Sequence, residues 1–561
     1  MQPSLLAKRA WLLLFLAICA FYLWGLGSMP LVGPDEPRYA QVAREMLGRH
    51  DLITPTLGGL PWFEKPPLLY WLIILSYRAL GVTEYATRLG PALCGLVTAG
   101  FFYWTARNIS SASPHQIAKE TGDAIARWST LVWLSSVGTL AFSRGASFDI
   151  VLTMTITAAL SFFFACEVRN TSRFDVKLAA LLVLFHLCTA LSLLAKGLIG
   201  YVIIYGTISL YCLMRRRWPA AAIIKSFIWG FPLSIAVASV WYGPMIARHG
   251  WTFIDRFIIQ HHFQRFVSNK YHHPGPIYFY LPVVLGIALP WAVFLIAALW
   301  SARRFNWRGE TALDKLRVLA LAWLIIPVVF FSFSGSKLAA YILPVLPAIA
   351  LLVGERLVAY GHNSRDSVDS RLPGSDLVLR VTGLCLLILA IAISWFAHWK
   401  LEFGLAAAAL ALSPMAMVGA FAILRPQMRK PLLMSVAVVT IFTAAVMLRF
   451  FAPAIATRHS MRDPLALAAT RGYGNTPIVM LHTVERTSEF YGAGRILYGP
   501  DGEPDWFETV AEVVDAARRN HGSVLCIVPV KYQSQLTGSN QMHAEVLTDN
   551  GYLALVAVQL R

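Results

Sequence analysis

The sequence predicts an all-helical polytopic membrane protein with a small α/β domain outside the bilayer. Three observations carry that prediction. Of 561 residues, 57% are hydrophobic and 14% charged, whereas a soluble domain carries about 25% charged residues. Apolar runs of about 16 to 23 residues recur along most of the chain, near the roughly 20 a helix needs to cross the hydrocarbon core. After Pro453 the composition turns to ordinary polarity.

The apolar runs give about 13 transmembrane helices: 11–28, 88–106, 127–145, 150–166, 178–194, 198–214, 226–246, 277–299, 317–333, 338–353, 378–397, 402–423 and 431–451. Lys8 and Arg9 precede the first run and place the N-terminus in the cytoplasm. The same register puts Arg107, Lys119 and Arg127 inside, then Arg169 to Lys177, Arg215 to Lys225, Arg303 to Arg317, and Arg425 to Lys430. Basic clusters then fall on one side, as the positive-inside rule demands, and the net charge of +18 reads as topology and phosphate handling rather than nucleic-acid binding. A further apolar run, Leu68 to Leu80, is short and contains Arg78, so it is expected at the outer interface.

Domain organisation follows: a transmembrane catalytic domain over 1–452 with outer loops at 29–67 and 247–276, and a soluble α/β domain over 453–561. In the latter, β-prone runs at Thr476 to Leu481, Ser523 to Val528 and Tyr552 to Val558 flank a helical stretch, Trp506 to Arg519. The seven cysteines are scattered, all but Cys526 in apolar runs, and show neither disulfide nor metal spacing.

The chemistry gathers in the first outer loop. Asp35, Glu36, Arg38 and Tyr39 follow the first span, and Glu64 and Lys65 precede a double proline. The bland alternative makes Asp35 a cap for a helix beginning near Pro37. It leaves the Phe-Glu-Lys-Pro-Pro segment unexplained.

The motifs DEPRY and REM, then FEKPPLLYW, resemble the lipid A 4-amino-4-deoxy-L-arabinose transferases, within the protein O-mannosyltransferase group of GT-C glycosyltransferases. RGASFDI with Asp149, LLAKG with Lys196, Arg265 to Tyr271 followed by HHPGPIYFY, and SGSKLAAYILPVLPA extend the resemblance through most of the transmembrane region. It implies a GT-C fold in the bacterial inner membrane, with the active site and C-terminal domain periplasmic. It also implies transfer of aminoarabinose from undecaprenyl phosphate to lipid A phosphate, and with it resistance to cationic peptides such as polymyxin. A protein O-glycosyltransferase of the same fold is the alternative, and a lipid-linked sugar transporter a third reading. A transporter is expected to place ionisable residues in mid-span and to show an internal repeat.

Within that reaction the donor leaves as a lipid phosphate, which calls for cations at membrane depth. Arg38, Lys65, Lys196 and Arg265, with Tyr341, are the expected donor-phosphate residues. Tyr39, Tyr70, Arg256 and Lys337 are further candidates, and Arg144, Arg248 and Lys270 also fall on the outer side. Asp35, Asp149 and Glu64 are the expected catalytic carboxylates. A phosphate acceptor, with a second pKa near 6, is already anionic, so no strong general base is compulsory. The carboxylates can instead orient the acceptor or hold the amino sugar's ammonium. Glu64 with His261 and His262 leaves room for a divalent metal ion, although no metal-ligand spacing is present and paired histidines also mark membrane surfaces. Direct displacement predicts inversion. Membrane lipids are expected partners, and a monomer is the expected state.

Overall fold

The computed structural model describes residues 5–111, 116–169, 175–264, 275–361, 375–499 and 502–561. The chain forms two compact units, one of 1–24, 63–69 and 91–446, the other of 25–62, 70–90 and 447–561.

The first unit is helical. Its elements begin with α1 (Leu5–Leu23) and continue, after α2 (Asp35–Gly48) and α3 (Leu68–Leu80), with α4 (Glu84–Ser111), α5 (Gln116–Ser135), α6 (Val137–Phe142), α7 (Phe148–Arg169), α8 (Val176–Lys196), α9 (Ile199–Arg215) and α10 (Ala221–Phe253). Later helices include Ala312–Ser332, Leu346–Gly361, Ser375–Leu401, Leu405–Leu424 and Arg429–Val446. Among the described residues nine helices are long and apolar enough to cross a membrane. A tenth span results if Tyr280–Ile287 and Ala292–Arg304, bent by 113°, count as one. The chain is therefore a multi-pass membrane protein.

Helices stand at all the expected span positions, but three fall short of that measure. Arg9–Leu23 and Ile199–Arg215 are apolar and brief. The expected span 127–145 is broken at Ser136, whose extended backbone separates α5 from α6 and lets the Val137 amide donate to Leu289 O at 2.9 Å. The 13-residue α3 rises only about 20 Å, short of the roughly 30 Å hydrocarbon core. The expected outer loop at 247–276 is helical as far as Gln264, as a π-helix over Ile254–Gln264. Gly250, at φ 53°, kinks α10 within its last turn, a conformation that side chains with a Cβ rarely adopt. Beyond the kink Phe253 and Phe257 stack at 5.2 Å, and Trp241 packs edge-on against both from the other side of it.

The second unit contains α2, a hairpin of β1 (Thr56–Leu57) and β2 (Leu60–Pro61), and a five-stranded sheet of β3 (Ile478–Leu481), β4 (Trp506–Phe507), β5 (Ser523–Pro529), β6 (Met542–Asp549) and β7 (Leu553–Leu560). The sheet order is β4-β3-β5-β7-β6, parallel on the β4-β3-β5 side and antiparallel at β5-β7-β6. One face packs on helix Val510–Arg519, started by a reciprocal Thr509–Glu512 capping box. The other face packs on Met461, Leu465 and Ala468. The expected helical stretch from Trp506 thus opens with a two-residue strand, and the helix waits for its cap at Thr509.

Candidate functional site

In the first unit the sequence brings distant cations and carboxylates to one cavity. Phe63 anchors its segment by edge-on contacts with His249 at 5.0 Å and Phe253 at 5.7 Å. Pro66 restricts Lys65 to extended backbone, and the double proline precedes α3. The result places Glu64 and Lys65 on the wall of a cavity of about 410 Å³, together with Lys196, Tyr201, His261 and Tyr341. Its remaining wall is largely apolar, including Leu198, Val202, Phe330 and Phe331.

Lys196 is the last residue of α8, where the helix dipole favours a cation. Gly197, at φ 74°, then turns the chain. The Lys196 ammonium is hydrogen bonded to Asp149, in the first turn of α7. It also lies 4.5 Å from the centre of the Tyr341 ring. Both ends of the ion pair are mostly buried, with Lys196 14% and Asp149 11% exposed in their side chains. Two spans and the 3₁₀ turn Ala339–Val345 therefore fix one positive charge on an apolar wall. Lys337 donates to the carbonyl of Ser334, itself a lining residue, at 2.6 Å. Arg256 and Arg248 are exposed and are not lining residues. Arg265 and Lys270 lie outside the described residues, as does the side chain of His262.

Arg144 is engaged with backbone carbonyls. Its guanidinium is buried and donates to Phe21 O at 2.8 Å, Tyr22 O at 3.2 Å and Trp24 O at 2.5 Å. Those carbonyls lie at the end of α1 and just beyond it, where intrahelical donors run out.

The second unit holds the carboxylate–arginine motif. Helix α2 starts at Asp35, two residues before the position expected from Pro37, and no side chain caps it. Asp35 instead bonds Arg38 one turn on, at 2.8 Å, and keeps a half-exposed carboxylate, 54% accessible. Arg38 also donates to Pro34 O at 2.7 Å and lies 5.4 Å from the Trp62 ring centre. Tyr39 and Tyr70 are buried, with ring centres 6.3 Å apart in an edge contact.

Sequence reasoning missed Arg88 and Glu45. Arg88, buried, grips both oxygens of Glu36 at 2.8 and 2.7 Å and donates to the carbonyls of Leu26, Met29 and Pro30. The second carboxylate of the motif is thus held in a structural fork that fixes the segment from 26 to 36. Its signal was an arginine inside an otherwise apolar helix. Glu45, the centre of the Arg-Glu-Met triplet, accepts from Thr56 Oγ1 at 2.8 Å and from the amides of Gly58 and Gly59 at 2.8 and 3.1 Å. It ties the β1–β2 hairpin, and so the approach to Trp62, onto α2.

Of the three residues expected to hold a divalent ion, Glu64 and His261 share the cavity wall, and the side chain of His262 lies outside the described residues. Among the described residues no three His, Cys, Asp or Glu side chains stand together as a ligand set.

A many-spanning helical membrane unit with a cation-walled cavity, joined to a small mixed-sheet domain, has the architecture of the GT-C glycosyltransferases. The crystal structure of ArnT from Cupriavidus metallidurans bound to undecaprenyl phosphate shares this fold, with a TM-score of 0.77 over 98% of both chains at 23% identity. Its apo form gives 0.75. The chain belongs to the dolichyl-phosphate-mannose-protein mannosyltransferase family, whose model matches residues 9–302, just over half its length. Curated relatives named undecaprenyl phosphate-alpha-4-amino-4-deoxy-L-arabinose arabinosyl transferase include one from Yersinia enterocolitica, 29% identical over 69% of this chain and 66% of the relative. Another, from Sodalis glossinidius, is 31% identical over 61% of this chain and 59% of the relative. The matched region thus spans 59 to 66% of those relatives' length, less than two thirds.

Proposed function

We propose that this protein is a glycosyltransferase that moves 4-amino-4-deoxy-L-arabinose from undecaprenyl phosphate to a phosphate of lipid A, and that it acts as a monomer. The supporting observation is the cavity in which Lys65 and the Asp149-held Lys196 stand on a wall that is otherwise largely apolar. The donor in the relatives' names is a polyprenyl chain joined to its sugar through a phosphodiester, and such a wall suits both chain and phosphate.

In the reaction an acceptor phosphate oxygen attacks the anomeric carbon, and the bond from that carbon to the carrier phosphate breaks. The carrier leaves as a phosphate monoester bearing the electron pair of that bond. No proton has to be removed from an acceptor that is already anionic. Lys65 and Lys196 stabilise charge developing on the leaving phosphate, in surroundings where water screens little. Asp149 orients Lys196 rather than acting as a base, because its carboxylate is engaged by that ammonium. Glu64, on the same wall, is suited to the ammonium of the amino sugar. Asp35 and Arg38 are assigned to orienting the acceptor and contacting donor phosphate. A single displacement inverts the anomeric centre.

The basic clusters, read by the positive-inside rule, support an inner-membrane protein with the reaction and the C-terminal domain on the periplasmic side. Purified protein incubated with lipid A and undecaprenyl-phosphate-aminoarabinose should yield lipid A heavier by one aminoarabinose, and its expression should raise polymyxin resistance. Glycosylation of a serine- and threonine-containing peptide with no change in lipid A would replace this reading with the protein O-glycosyltransferase alternative.

A further inference from the structure

The C-terminal sheet domain holds the carboxylate–arginine segment through one short helix, Thr487–Tyr491, all within the second unit. The Tyr491 ring packs against the core formed by Met461, Ile478 and Ile496. Its hydroxyl reaches out of that core. It accepts from the Leu31 amide at 2.7 Å and donates to Glu84 Oε1 at 3.0 Å. Beside it, Arg44 of α2 donates to Phe490 O at 2.7 Å and lies 4.1 Å from the centre of the Phe490 ring.

Leu31 belongs to the segment that Arg88 and Glu36 organise, four residues before Asp35. Glu84 opens the helix that carries Arg88. One phenol oxygen therefore ties the segment entering the motif to the helix holding its structural fork. A backbone amide and a carboxylate meet on a hydroxyl that can donate to one while accepting from the other. A phenylalanine would fill the core equally well and make neither bond.

We propose that Tyr491 is a positioning residue through which the C-terminal domain sets the placement of Asp35 and Arg38. The domain is then part of the catalytic apparatus without touching substrate. This inference rests on the assignment of Asp35 and Arg38 to the transferase reaction.

Tyr491→Phe in the full-length protein tests it, with Arg518→Gln, on the exposed face of the Val510–Arg519 helix, as the control. Two readouts are needed. Hydrogen exchange at the Leu31 amide should quicken about 10-fold, the worth of one lost hydrogen bond, while exchange in β5 and β7 stays as in wild type. Turnover at saturating donor should fall about 10- to 100-fold with donor KM shifted less than about threefold, since a misplaced group costs rate more than binding. Arg518→Gln should change neither. Unchanged exchange at Leu31, or wild-type turnover, overturns the proposal. So does faster exchange throughout the sheet, which would reduce Tyr491 to packing. If wild-type protein transfers no aminoarabinose to lipid A, the functional reading fails, and the exchange measurement alone still decides whether Tyr491 holds the segment.

Discussion

Replacing Lys196 separates two contributions that the Asp149–Lys196 pair combines. Lys196→Met removes the ammonium and leaves Asp149, only 11% exposed, without its partner. Breaking a buried pair from one side costs about 3 to 5 kcal/mol of stability, because an uncompensated charge remains. The same substitution removes a charge-assisted contact to the leaving phosphate, about 2 to 4 kcal/mol of barrier, or roughly 30- to 1,000-fold in rate. Adding Asp149→Asn neutralises the orphan, so the double variant should recover most of the thermal stability but none of the rate. Differential scanning fluorimetry of detergent-purified protein reads the first quantity, and single-turnover transfer with saturating carrier-linked sugar reads the second. Near wild-type turnover in the double variant would refute the catalytic role of Lys196 and leave the pair as a strut between α7 and α8. Lys65→Ala should lower the same single-turnover rate by about 30- to 1,000-fold, and a wild-type rate at saturating donor would remove Lys65 from the phosphate contacts.

Arg88→Met should lower stability by about 3 to 5 kcal/mol and abolish transfer, since it leaves Glu36 buried and three carbonyls without their donor; a melting temperature equal to wild type would show that the fork is dispensable. In a cysteine-free background, a membrane-impermeant thiol reagent applied to intact cells should label Arg519→Cys and spare Arg308→Cys; the reverse pattern would reject the assigned sides. Glu489 supplies a pH test. Burial pushes its carboxyl from about 4.5 up to about 7, Arg486 and Arg38 oppose the shift, and Glu503 adds to it. The folded form then holds this proton more tightly than the unfolded chain, so the stability it contributes is complete below about pH 4.5 and is lost as pH rises through about 7. The whole interval is worth about 3 kcal/mol. Glu489→Gln should flatten that part of the stability profile, measured by denaturant unfolding between pH 4 and 8, and an unchanged slope would sink the assignment.

What the sequence made legible depended on how local the cause was. Apolar runs and basic loops are properties of single segments, and helices stand where those runs predicted them. Strands β3, β5 and β7 were visible because each is a continuous β-prone run buried in the sheet. Strand β6 was not, because its alternating exposed and buried residues, His543, Glu545 and Thr548 among them, give an edge strand no apolar run to detect. At the site, sequence motifs named Glu64, Lys65, Lys196 and Tyr341, and the fold sets these four around one cavity. What no motif carried is which charges are already engaged. Arg144 and Lys196 read alike along the chain, as basic residues near outer span ends, yet one donates to three carbonyls of α1 and its following turn while the other faces the cavity on a carboxylate support. Glu36 and Asp35 are neighbours in sequence, yet Arg88, 52 residues on, makes the first a buried fork and leaves the second half exposed. Such distinctions depend on partners about 50 to 120 residues away, and pairing at that range is fixed by helix packing rather than by spacing. A charged motif therefore names the residues from which a site is built, whereas the long-range partners decide which of them remain available for chemistry.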